Sequence, residues 1–258
     1  ERLFEEADAA INADARILIL SDREADALQA PMPALLAAAG LHHHLIRRQT
    51  RTRVSLVVES GEPREVHHFA LLIGYGVAAV NPWLSFAVIR DLKAQNRLSG
   101  FTEEQAIQHY IKAAVKGIGK ILSKMGISTI QSYLGAQIFE AVGICPTVIE
   151  RYFSGTISRI GGIGLAEIAG AVTCRMRTAA DPNQVSAGLE PGGQYQWRSN
   201  GEEHLFNPLT VHYLQQAVRT GDYGLYQTCT QLLNDESRRA GTLRGLLDFI
   251  PAPQALPL

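Results

Sequence analysis

Three short apolar runs, Ile17-Leu18-Ile19-Leu20, Val54 to Val58 and Val77 to Val80, alternate with helical segments through the N-terminal part of the chain. The first follows a segment, Glu1 to Ala13, in which Leu3, Phe4, Ala7 and Ala10-Ile11 recur at helical spacing. Pro31 and Pro33 introduce a helix from about Ala34 to Arg48, Pro63 suits the first turn of another that runs to Gly74, and Asn81-Pro82 closes the third run. Strands that are apolar without polar alternation belong to parallel sheets, because the crossover helices cover them. The order therefore predicts an α/β fold of parallel βαβ units resembling an incomplete (β/α) barrel. Its functional groups should gather where strands end and helices begin.

Beyond these units Lys93 to Gly100 reads as a loop before a long helix, opened by Thr102 and Gln105 at capping-box spacing. Its apolar residues Ile107, Ile111, Ala114, Val115, Ile118, Leu122 and Met125 form one face. Gly126 stops it, Ile127 to Ile130 suggests a short strand, and helices are expected near Ser132–Val142, Pro146–Phe153 and Leu165–Arg177. Asp181 to Asn200 is a long polar connection with a candidate strand pair around Tyr195, followed by helices at Pro208–Thr220, Tyr223–Leu233 and Thr242–Phe249. The expected organisation is an α/β core over 1–180, a long loop over 181–203, a mainly helical C-terminal part over 204–250 packing on the core, and a linker tail over 251–258. A helical pattern already under way at Glu1 and the ending PAPQALPL predict an internal piece of a longer chain.

The chain has 258 residues and is 46% hydrophobic, enough to bury a real core. Its 24 Lys plus Arg against 25 Asp plus Glu leave no general field to attract nucleic acid or an anionic membrane. The longest nearly apolar run, Phe69 to Val80, falls far short of the roughly 20 residues needed to span a bilayer. Cys145, Cys174 and Cys229 lie too far apart for metal-site or iron–sulfur spacing and read as buried reduced thiols, which suits a cytoplasmic protein.

Several residues could carry chemistry. His42-His43-His44 and His67-His68 are the obvious metal candidates, but consecutive helical residues point about 100° apart and cannot converge on one ion. Hydrogen bonding in the core or at an interface accounts for them better. Lys112, Lys116, Lys120 and Lys124 form a basic stripe that suits a solvated face or contact with an acidic surface or anion, Lys124 being the best single candidate. Ser158 to Gly164, with Arg159, Gly161 and Gly162, could cradle an anion, though it matches neither GxGxxG nor the P-loop, and an Arg159–carboxylate pair explains it equally well. Gly117-Ile118-Gly119 also fails the dinucleotide fingerprint. Glu59-Ser60-Gly61-Glu62 follows the second strand, where acid and base groups often sit, yet Ser60 lacks the G-x-S-x-G elbow and no catalytic residue is assigned.

Longer stretches carry a resemblance. SKMGIST at Ser123–Thr129, SYLGAQIFEAVG at Ser132–Gly143 and RYFSGTISRIGGIG at Arg151–Gly164 resemble the central region of the glutamate synthase large subunit. So do ILILSDR at Ile17–Arg23, HHHLIR at His42–Arg47, Thr52–Gly76, AVNPWL at Ala79–Leu84, GGQYQWR at Gly192–Arg198, HLFNP at His204–Pro208 and Ser237–Phe249. The resemblance implies a central domain between a glutamine amidotransferase domain and an FMN-binding (β/α) barrel. The parent enzyme would make L-glutamate from L-glutamine and 2-oxoglutarate, with FMN and a 3Fe–4S cluster bound elsewhere and a small NADPH-oxidising subunit or ferredoxin as electron partner. Its compartment would be the cytoplasm, or the plastid stroma in a photosynthetic eukaryote. The family's N-terminal cysteine nucleophile and its C-x5-C-x4-C run are absent here, so this piece would bind no cofactor, brace the two centres and help form the internal ammonia passage. A free-standing FMN- or phosphate-binding barrel enzyme and a purely structural interdomain module are the alternatives.

Overall fold

The structure, a computed structural model, describes residues 1–26, 29–181, 192–248 and 250. The chain divides into two compact units, Glu1–Val185 and Ser186–Leu258. In the first, β1 (Ile17–Ser21), β2 (Ser55–Glu59) and β3 (Ala79–Asn81) form a parallel sheet in the order β1-β2-β3. Ile17 lies opposite Ser55 and Ser21 opposite Glu59, while Glu59 also pairs with Asn81, so the carboxyl ends of all three strands finish level. The connections run through α2 (Ala34–Arg47) and α3 (Val66–Gly74), and α1 (Arg2–Asn12) precedes β1. The fold is α/β with parallel strands, and no closed barrel occurs among the described residues.

Side-chain alternation decides which face of this sheet is covered. Leu18 and Leu56 point into a cluster with Ala7 and Ile11 of α1 and Leu41 and Leu45 of α2. Val58 meets Ala38 of α2 and Leu72 of α3 two residues further along the same face. The opposite face carries Ile17 and Ile19, which are 60% and 63% exposed. Parallel strands ordinarily have both faces covered. Among the described residues Ile17 and Ile19 are left open on this face, beside a half-buried Val57.

After β3 the chain enters α4 (Trp83–Ala94) and α5 (Glu103–Met125). Thr102 and Gln105 form the predicted capping box, and Gly126, at φ +71°, ends α5 in the left-handed conformation. The strand expected at Ile127 to Ile130 is absent, and α6 (Ile130–Tyr133) is a single turn. β4 (Glu140–Ile144) takes the end of the helix expected over Ser132–Val142. It pairs in parallel with β5 (Ile157–Ile163) through α7 (Pro146–Tyr152). Helix propensity over Ala136 to Val142 yields to this pairing, a nonlocal interaction that a local pattern does not contain. α8 (Leu165–Ala180) follows.

α7 also joins the two sheets. Val148, Ile149 and Phe153 pack with Ala39 of α2 and Tyr75, whose ring stacks on Phe139 at 5.7 Å. The Tyr75 hydroxyl pairs with that of Thr156 at 2.7 Å.

The second unit contains α9 (Pro208–Thr220), capped by Asn207, and α10 (Tyr223–Glu236), capped by Asp222, with Gly221 at φ +68° between them. Thr210, Ala217 and Cys229 are buried, and the Cys229 thiol donates to the Thr210 carbonyl. No strand forms at Tyr195, which is fully exposed. The helix expected over Thr242–Phe249 is a 3-10 turn, Leu243–Leu246, among the described residues. The centre of the expected long loop, 182–191, and the expected tail, 251–258, lie outside the described residues.

Leu56 is completely buried at the centre of the first sheet. Leu56→Ala should therefore lower stability by about 2–5 kcal/mol, whereas Thr102→Ala, which removes one cap, should cost about 1 kcal/mol. Chemical denaturation of the two variants side by side measures the difference; equal losses would contradict this core.

Candidate functional site at the carboxyl edge of the parallel sheet

The level strand ends place Asp22, Glu59, Ser60 and Asn81 side by side. Asp22 follows β1, and its backbone N–H donates to the Glu59 carbonyl at 3.1 Å. Its carboxylate accepts from the Ser60 hydroxyl at 2.5 Å, from the Gly61 N–H at 3.1 Å and from the Trp83 indole N–H at 2.7 Å. One side chain thus ties together the loops after all three strands. Glu59 is engaged just as fully, accepting from Ser21 at 2.8 Å, Asn81 at 3.0 Å and Arg23 at 3.3 Å. The Arg23 guanidinium in turn lies 5.6 Å from the Trp83 ring centre. Glu62 accepts the Ala34 N–H at the start of α2 at 2.7 Å and faces Arg175 of α8 at 3.6 Å.

This edge floors a cleft of 560 Å³ walled by Leu35, Leu71, Leu72, Trp83, Leu84 and Val172. Its shape suits a ligand or a docking segment. Asp22, the carboxylate on its floor, already accepts from three internal groups, which hold it in place. Ser60 is buried, donates to Asp22 and has no histidine partner, so it is not an activated nucleophile. The arrangement fixes three loops in register.

The residues singled out from sequence lie elsewhere. Lys124 is exposed in the last turn of α5. Arg159 projects from β5 and pairs with Glu140 of β4 at 3.1 Å, both side chains largely in solvent. Gly161 and Gly162 belong to β5 itself. A Cβ on Gly162 would stand 2.3 Å from the Gly143 carbonyl oxygen, so glycine there serves the close approach of two strands. The N-terminus of α8 is met by the chain's own Glu167 carboxylate, which accepts the Gly164 N–H at 2.8 Å. Sequence reasoning missed Asp22 and Trp83, although both lie within three residues of the end of a predicted strand.

The adjacent histidines diverge as their spacing requires. His44 pairs with Asp8 at 3.1 Å and stacks on Phe4, His43 is buried against Tyr75, and His68 faces Glu65. Among the described residues no three His, Cys, Asp or Glu side chains gather as a metal site. His42 has an unusual partner. Arg51 donates through Nε to His42 Nδ1 at 2.9 Å, through one amino group to the Val54 carbonyl at 2.8 Å and through the other to the Gly76 carbonyl at 2.6 Å. Gly76, at φ +92°, must be glycine: a Cβ would stand 2.2 Å from His42 Nδ1. Burial, then the Arg51 cation, then neighbouring His43, lower the His42 pKa to about 4. Burial and Arg47 also lower that of His43.

Asp22→Asn turns one acceptor into a donor facing donors, and should lower stability by about 1–3 kcal/mol; an unchanged denaturation midpoint would refute the lock. His42 binds a proton less readily folded than unfolded, so its contribution to stability is complete above about pH 6.5 and lost as pH falls through about 4. Wild type should therefore lose stability more steeply than His42→Gln between those values, read from denaturation midpoints across pH. Parallel curves would contradict a neutral His42.

The family model described as "Glutamate synthase central domain" matches residues 1–145. A Bacillus subtilis protein named glutamate synthase [NADPH] large chain is 50% identical over 247 residues, 96% of this chain and 16% of that protein. A Schizosaccharomyces pombe glutamate synthase [NADH] is 41% identical over 262 residues, 100% of this chain and 12% of its own length. A chloroplastic ferredoxin-dependent glutamate synthase of Spinacia oleracea is 37% identical over 259 residues, covering 96% of this chain and 16% of that one. The chain thus spans only a small part of these relatives. With a family model over more than half its residues, the chain belongs to the glutamate synthase central domain family.

Proposed function

We propose that the chain is the rigid middle of a glutamate synthase, bracing a glutaminase domain against an FMN-binding domain and helping to form the passage for ammonia between them. The parent enzyme would make L-glutamate from L-glutamine and 2-oxoglutarate. The observation that carries this reading is the bare face of the parallel sheet, with Ile17 and Ile19 more than half exposed on strands of a type normally covered on both sides. β4 and β5 add Val142 at 68%, Ile157 at 56% and Ile160 at 61% exposed. Such faces suit obligate packing against other domains of the same protein, and a parallel sheet with locked strand ends suits the task of holding two centres in fixed geometry.

In this reading the chain holds neither FMN nor the 3Fe–4S cluster. Cys145 and Cys174 stand on separate elements, at the start of α7 and within α8, where Cys174 is exposed rather than buried as expected, and the sequence holds no C-x5-C-x4-C run, which does not fit a cysteine-ligated cluster. The chain's own carboxylate at the start of α8 opposes a phosphate there. Lys124 and Arg159, both exposed, serve interdomain contact rather than cofactor binding, while Gly161 and Gly162 belong to β5 and shape its pairing with β4. Relatives are named for NADPH, NADH or ferredoxin, so the electron partner, a small NADPH-oxidising subunit or ferredoxin, follows the parent enzyme rather than this domain. No helix among the described residues is long and apolar enough to cross a membrane. A soluble enzyme of the cytoplasm, or of the plastid stroma, fits.

Ile19→Asp in the full-length protein places a charge on the proposed contact face. Glutamate made from 2-oxoglutarate per glutamine hydrolysed should fall about tenfold, as expected when an unpaired charge enters an apolar interface. Lys124→Glu should lower the same ratio less. Full coupling in a folded Ile19→Asp enzyme would contradict the bracing role.

A further inference from the structure

A second recess, of 270 Å³, opens beside His42 and is lined by Ile46, Tyr75, Gly135, Gln137, Phe139 and Gly155 among others. The Arg51 guanidinium can only donate, so His42 Nδ1 must accept and the imidazole proton sits on Nε2. Nε2 looks toward Gly135, where a Cβ would lie 3.7 Å away, and it has no hydrogen-bond partner among the described residues. Arg51 directs three N–H groups to His42 and two carbonyls, which hold it behind the imidazole. The recess therefore presents an oriented, uncharged N–H whose tautomer is set from behind.

The opposite wall is built with similar care. Gln137 is a non-glycine residue held at φ +53°. Its side-chain amide occupies the space where a Cβ on Gly155 would fall, at 2.2 Å, and Gly155 itself stands at φ +83°. That amide also makes no hydrogen bond within the described residues. A left-handed backbone and a glycine gap together hold this solvent-exposed amide beside a recess walled by Phe139 and Tyr75.

We propose that this recess binds a small uncharged carboxamide, with His42 Nε2–H donating to its carbonyl oxygen and the Gln137 amide pairing with its amide group. The inference stands on this recess alone, whatever the fate of the interdomain role. A carboxylate would enter an aromatic-walled site with no Lys or Arg among its lining residues to pair with it. An ammonium ion would find no facing carboxylate among the lining residues. A neutral amide satisfies both free groups without burying a charge.

Crystals of the full-length protein soaked in acetamide, and separately in acetate, test this. Acetamide should be seen with its oxygen at hydrogen-bond distance from His42 Nε2 and its amide on Gln137, with acetate absent. In solution, acetamide affinity should fall about fivefold in Gln137→Asn, a shorter amide that accepts the same backbone conformation, with the melting temperature unchanged. His42→Phe should abolish binding. Preference for acetate, acetamide held away from His42, unchanged affinity in Gln137→Asn, or a segment of the same protein already filling the recess would each overturn the proposal.

Discussion

A parallel sheet packed, among the described residues, chiefly on one face is the constraint from which the rest of this structure follows. Parallel strands depend on long crossovers for their connection, and here α2 and α3 lie with α1 on the single face where Leu18, Leu56 and Val58 point. The other face keeps Ile17 and Ile19 in solvent within this chain. Exposed Ile17 and Ile19 beside Val57 and Ala79 form an apolar centre rimmed by Ser21, Ser55 and Glu59, a pattern that suits a contact surface. The second pair of strands repeats the condition.

Polar interactions organise what burial alone leaves loose. Hydrophobic clustering fixes which face of a strand is inside, but it does not fix the loops at the strand ends. Asp22 does so by gathering donors from Ser60, Gly61 and Trp83, and Arg51 does so on the other side by bridging His42, Val54 and Gly76. Both centres hold a charge satisfied by neutral groups. Removing one partner leaves the rest desolvated and unpaired, which is why such networks specify geometry strongly.

Much of this was legible in the sequence because it is local. The three apolar runs, the prolines before α2 and α3, the Thr102 cap and the Gly126 stop each act over a few residues, and each appears close to where the pattern put it. β4 and β5 escaped because their pairing depends on residues far apart and their strands carry glycines, which read as turns. Ser158 to Gly164 looked like a phosphate cradle for the same reason, whereas Gly162 is small so that Gly143 can approach. Asp22, Arg51 and Gln137 were invisible as a site because their meaning comes from what the fold brings beside them. The family resemblance, carried by long ordered stretches rather than chemistry, was the most transferable signal.

The account rests on the bare sheet face being an internal surface of a larger enzyme. A structure of the full-length protein measures this directly. Ile17 and Ile19 should be buried against another part of the same protein, with the Asp22 lock intact beneath them. Finding that face open to solvent, with the neighbouring domains attached only through the chain ends, would contradict it.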